Sequence, residues 1–253
     1  MGRNYEDSWG GLILIKDLKK DKFGLYILSK DAIESEVENI LKDYNSDLLF
    51  EPQAIDLDDF TENYLHLNME YQNLSLDKRY YGLFVFTDGV INVYDENNNV
   101  KPIQVKKKTV ILDSSLSLVG ENTRRFSLGH EDGHYIWHYG LNNKENLFEK
   151  YDKHEYAQTA CRSFGKERKE LKTKEDWQEW QANYTGACLL ANRTAALKII
   201  SKVAGYEVKY NSGFMNKLTG YQKLRIKHLF TETFKMSEIS AFYRMKELSD
   251  SKS

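Results

Sequence analysis

The stretch "RRFSLGHEDGHYIWH", residues 124–138, places three histidines at four-residue steps, with a glutamate beside the first. On an α-helix, residues i and i+4 share one face, so His130 and His134 can reach a single ion. Glu131 is then rotated by about 100° on the 3.6-residue period, where it can act on a metal-bound water without being a ligand. Zinc lowers the pKa of such a water to about 7, and the carboxylate can take its proton. The pattern H-E-x-x-H therefore demands a helix. It also demands a third ligand from elsewhere in the chain, because a catalytic zinc has three protein ligands and one open position. The same pentapeptide arises in ordinary helices whose histidines are satisfied by packing. Two features weigh toward a metal: the flanks suit a helix, with Asn122 as a candidate cap, and four of the six histidines lie within 130–154.

Glu179, in "EDWQEWQANY", is the candidate third ligand, on a helix able to pack antiparallel to the first. Glu175 and Asp176 lie one turn away, and composition alone does not choose among these acids. His138 is the rival on the first helix. Three ligands at successive i+4 steps span about 12 Å at 1.5 Å rise per residue, too far for one ion, so His138 is expected to support or pack at the helix end. His154 reads as a loop residue, and His66 and His228 carry no signal.

The remaining chain reads as α+β: small helices, a short antiparallel sheet, then helices to the end. Residues 31–44 carry Ile33, Val37, Ile40, Leu41 and Tyr44 at helical spacing, with Asp31 as candidate cap. A second short helix is expected in "DLDDFTENYLHLNMEY". Residues 81–95 read as a hairpin around Asp88-Gly89, "NNN" at 97–99 as a turn, and 107–113 as a third strand. Weak helix is expected around 152–162, one long helix over 174–203, and two or three helices in the last fifty residues. The expected division is an extension over 1–30, a main domain carrying the histidine helix over 31–200 and a helical subdomain over 201–253.

A net charge of −2 argues against a general nucleic-acid binder. Charge is uneven, however, with 9 basic against 17 acidic side chains over 1–80, and 10 against 5 over 201–253. Cys161 and Cys188 do not make a disulfide framework, and the start lacks a signal peptide. Both cysteines are expected as free thiols in a reducing cytoplasm, with no membrane partner.

"NTRRFSLGHEDGHYIWH" resembles the R-R-F-T-L-A-H-E-L-G-H-x-x-x-H stretch of the ImmA/IrrE metallopeptidases. "EWQANYTGACLL" resembles that family's E-x-x-A-[ND]-x-x-A-x-x-L-L signature, whose glutamate, the third zinc ligand, aligns with Glu179. The segments "GLFVFTDGVINVYD" and "TVILDSSL" look like the strands before the zinc helix, and the similarity covers roughly residues 30–195. The resemblance implies a gluzincin-like zinc endopeptidase, with His130, His134 and Glu179 on the metal and Glu131 as general base. Manganese would suit the same ligands, although the geometry favours zinc. It also implies a narrow substrate, a helix-turn-helix transcriptional repressor whose cleavage releases its target genes, as on phages, integrative elements or DNA-damage regulons.

Two departures stand out. Asp132 replaces an apolar residue; it points away from the metal on a regular helix and costs little where it is exposed. "LLANR" replaces the usual L-L-M-P ending. "ETFKMSEISAFYRMKEL" resembles the family's helix-turn-helix-like segment, with Phe234, Ile239, Phe242 and Met245 as an apolar face, and is expected to pack or touch the repressor without binding DNA. Tyr184, Tyr135 and Tyr139 are equal candidates for stabilising an oxyanion, and an edge of the 81–113 sheet could align a substrate strand. The competing reading is a metal-stabilised protein that displaces the repressor without cutting it.

Overall fold

The computed structural model describes residues 18–22, 24–78, 80–139 and 171–250. The expectations for His154, Cys161 and a helix around 152–162 fall outside them. The α+β class holds, with a small sheet ahead of the histidine helix and helices to the end.

Helix α1, Lys30–Asn45, is capped by Ser29, whose side chain accepts from the Ala32 amide; Asp31 sits inside the first turn and not at the cap. Its buried stripe is Ile33, Val37, Ile40 and Leu41. Short helices α2, Asp47–Phe50, and α3, Leu57–Asp59, follow, and α3 runs into a wide π turn at Phe60–Tyr64. The "second short helix" is therefore brief, and strand β1, Asn68–Gln72, takes over its end.

Strands β2, Gly82–Val85, and β5, Thr109–Asp113, form a three-stranded sheet with β1 in the order β1-β5-β2. The sheet is mixed, since β1 pairs with β5 in parallel and β2 antiparallel. β5 is central and buried at all five positions. The expected hairpin around Asp88-Gly89 is not formed. β2 pairs with β5, whereas β3, Gly89–Tyr94, pairs with β4, Val100–Val105, as a separate ribbon. The tight turn lies instead at the asparagine run. There the Asp95 carboxylate accepts from the Asn97 and Asn99 amides, and Asn98 takes a positive φ of 63°. Leu83, Val85 and Ile111 from the sheet pack with Ile91, Val93 and Val105 of the ribbon. Phe84, Val110 and Leu112 face the main core. β2 is thus buried on both faces, which explains why its run is continuously apolar and gives no register signal.

Helix α4, Leu116–Val119, precedes α5, Glu121–His138, which carries the histidines. Gly120, at φ 116°, stands at the α5 N-cap; Asn122 lies inside the helix, and its side-chain amide donates to the Met236 carbonyl. The expected helix over 174–203 is two helices, α6, Lys174–Leu190, and α7, Arg193–Ala204. Asn192 breaks them apart by capping α7, its Oδ1 accepting from the Ala195 amide. Helices α8, Gly220–Phe234, and α9, Glu238–Ser249, are the last among the described residues. In the segment read as an apolar face, Phe234 and Met245 are buried, but Ile239 is 70% and Phe242 47% exposed. No helix among the described residues is long and apolar enough to cross a membrane.

One main core runs from Leu28 to Leu248, and a buried ion pair ties its ends together. Arg244 of α9 donates from both terminal nitrogens to Glu34 of α1, at 2.6 and 2.9 Å, and from Nε to the Ala191 carbonyl at the α6–α7 break. Both side chains are fully buried. Burial alone would raise the Glu34 carboxyl, but Arg244 and the Tyr184 hydroxyl hold it below its ordinary value. Removing one partner leaves an uncompensated buried charge. Arg244→Met should therefore lose about 3–5 kcal/mol of stability in urea titration, and the added Glu34→Leu change should recover most of it. A single-variant loss below about 1 kcal/mol would contradict this role.

Candidate metal centre

Helices α5 and α6 cross closely because small residues meet at the crossing. A methyl group on Gly133 would lie 2.9 Å from both the Cα and the carbonyl oxygen of Ala182. One on Gly186 would lie 3.0 Å from the His130 amide nitrogen, and one on Gly129 would lie 3.4 Å from the Gly186 Cα. Gly129 meets Gly186 while Gly133 meets Ala182, so the helices run antiparallel. The four-residue spacing of small residues on both sides keeps the two backbones in contact over a full turn.

This crossing brings Glu179 onto the histidines. Its carboxylate oxygens lie 3.4 Å from His130 Nε2 and 3.3 Å from His134 Nε2. The two imidazole nitrogens are 3.0 Å apart. Ligand atoms from all three residues fall within 4.8 Å of one another, and all three side chains are buried. The rival acids are placed differently. Asp176 closes the α6 capping box, accepting from the Lys172 and Thr173 amides. Glu175 does not join the cluster.

The donor set fits a cation. His130 Nδ1 donates to Asn183 Oδ1 at 3.1 Å, which leaves a lone pair on Nε2 facing the cluster. Burial pushes His130 down to about 4 and His134 down to about 3, so both rings are neutral and able to ligate a cation. Burial also raises Glu179. Lone pairs and a carboxylate gathered out of water are unfavourable unless a cation or proton lies among them. Ligands about 2.0–2.1 Å from one tetrahedral ion stand about 3.3 Å apart, close to the separations found here.

Glu131 lies beside this cluster and faces β2. A methyl group on Gly82 would sit 2.5 Å from Glu131 Oε1, so the carboxylate occupies the space that a glycine leaves. Burial pushes Glu131 well above the usual carboxylate range, Glu179 and Asp132 push the same way, and a hydrogen bond from the Phe84 amide opposes them. Its Oε2 is buried and has no hydrogen-bond partner among the described residues. A buried carboxylate oxygen in that state is fitted to take a proton.

His138 does not join the cluster. It contacts His134 on one side, Nδ1 to Nδ1 at 3.0 Å, and Gln181 on the other, Nε2 to Oε1 at 3.0 Å. Asp132 is fully buried where little cost was expected only for an exposed side chain; both its oxygens accept from the Thr61 hydroxyl, at 3.1 and 3.0 Å. Burial raises its carboxyl well above the ordinary value, which suits a buried protonated side chain. Tyr184 donates its hydroxyl to Glu34, on the side of the ion pair, and is not aimed at the cluster. Tyr135 and Tyr139 meet the Phe84 ring of β2, the first tilted and the second edge-on. The residues that sequence reasoning left without a role are Asn183, Gln181 and Gly82. Asn183 had a signal, since it follows Glu179 by one helical turn on the same face.

Comparison with known protein families and with curated proteins finds no match for the chain. Its reading therefore rests on the geometry above.

Because Gly133 meets backbone, an alanine there cannot be accommodated by a side-chain shift. Gly133→Ala should destabilise the protein by about 1–3 kcal/mol and weaken zinc binding by prising Glu179 away from the histidines. Gly89→Ala, where a methyl meets nothing within 4 Å, is the control for isothermal titration. Unchanged zinc affinity in Gly133→Ala would contradict the crossing's role.

Proposed function

We propose that the protein is a zinc-dependent endopeptidase of the ImmA/IrrE kind, acting in the cytoplasm on a helix-turn-helix transcriptional repressor. The observation that carries this reading is the meeting of His130, His134 and Glu179 in one buried cluster beside Glu131. The resemblance of both helix motifs supplies the substrate class. A buried free thiol at Cys188 fits a reducing compartment.

His130, His134 and Glu179 would hold the ion, with manganese as the other candidate. When bound, zinc acidifies a water and polarises a carbonyl as a Lewis acid. Glu131 then takes the proton of the attacking water and delivers it to the leaving amide nitrogen. The raised affinity of Glu131 for a proton suits that double task. Gly82 and the Phe84 amide aim its carboxylate. β2 makes a single ladder, with β5, among the described residues, and lies against Glu131. An extended substrate segment could add along its other edge.

The site's burial favours a second reading. His130, Glu131, His134 and Glu179 are each at most 7% exposed, which also suits a metal that stabilises a protein able to bind and displace the repressor without cutting it.

Glu131→Gln separates the two. The peptidase reading expects repressor cleavage to fall by at least about 10²-fold with the metal retained, and Gly82→Ala, which folds by swinging Glu131 aside, to lose activity in the same direction. Repressor released intact from its operator by Glu131→Gln, at the wild-type dose, would establish displacement instead. Full cleavage by that variant would contradict the mechanism.

A further inference from the structure

The contacts beyond the cluster have a direction. The Tyr26 backbone carbonyl can only accept, so Gln181 must present its amide nitrogen to it, at 2.7 Å. Gln181 Oε1 then faces His138 Nε2 at 3.0 Å and must accept from it. A neutral imidazole has one N–H, so a proton on His138 Nε2 leaves a bare Nδ1. His138 is 1% exposed and touches an imidazole on one side and an amide oxygen on the other, a setting that suits a neutral ring. The bare Nδ1 lies 3.0 Å from His134 Nδ1 and must accept from it. His134 is consequently protonated on Nδ1 and bare on Nε2, the atom that faces His130 and Glu179.

We propose that His138 and Gln181 are positioning residues, forming a one-way hydrogen-bond chain from the Tyr26 carbonyl that fixes His134 as a metal ligand through Nε2. The inference rests on the metal reading of the cluster. It assigns the third histidine of the motif a task other than ligation. It also gives the segment before α1 a link to the site, because the chain ends on its backbone. His130 receives the equivalent orientation from Asn183. The metal would thus be held by two histidines with separately set tautomers.

Two measurements test this. In metal-free wild-type protein at neutral pH, long-range ¹H–¹⁵N correlation should find His134 protonated on Nδ1 and His138 protonated on Nε2. Zinc affinity, measured by competition with a chromophoric chelator, should fall about 10–100-fold in His138→Leu. His138→Asn, whose side-chain oxygen can take the place of Nδ1 as acceptor, should recover most of that loss. Gln181→Leu should weaken zinc in the same direction. His134 protonated on Nε2 in the wild type would overturn the inference whatever the variants do. Wild-type zinc affinity in a folded His138→Leu protein would overturn it alone and leave the metal reading standing. Wild-type protein that takes up no zinc would remove both.

Discussion

The site depends on how closely two helix backbones approach. α5 and α6 touch through Gly129, Gly133, Ala182 and Gly186, and no side chain larger than a methyl separates them there. That approach lets Glu179, a side chain of modest reach, meet two imidazoles on the opposing helix. It also brings Asn183 to His130 and Gln181 to His138, so α6 supplies the candidate third ligand and hydrogen-bond partners for two of the histidine rings. The glycine in the middle of H-E-D-G-H is therefore as much a part of the candidate metal centre as its histidines. It carries no donor atom and owes its place to the space it leaves empty.

The sheet side acts on Glu131 in the same way. Gly82 leaves room for the carboxylate, and the Phe84 amide holds it. The Glu179 and Glu131 carboxylates are both buried and both raised toward protonation, so each would gain from a cation nearby. Farther out, Arg244 and Glu34 bind the C-terminal helix to α1 and to the end of α6. The helix that brings Glu179 is thus anchored at its far end by a pair made with residues from both ends of the described chain.

Much of this could be read in the residues, and the failures have physical causes. The histidine helix was legible because i, i+4 spacing is a local property. By composition Glu179 was one of three acids, and the resemblance singled it out; Asp176 is taken up by the capping box, a contact decided by where the helix begins. The hairpin reading failed because β2 is buried on both faces, and its partner β5 lies beyond the β3–β4 ribbon in sequence. The long helix failed at Asn192, whose side chain competes for backbone donors. The burial of Asp132 was not legible because its partner, Thr61, sits 71 residues away on a π turn that has no sequence signature. Gln181 was invisible for the same reason, since its role depends on the Tyr26 carbonyl.

The most direct test of the account is the metal content of protein purified without chelator, measured beside Glu179→Ala by inductively coupled plasma mass spectrometry. The account expects about one zinc per chain in the wild type, the stoichiometry of a single site, and its loss or marked weakening in the variant. Wild-type protein without metal, and taking none up on titration with zinc or manganese, would make residues 124–138 an ordinary helix and contradict the metal centre.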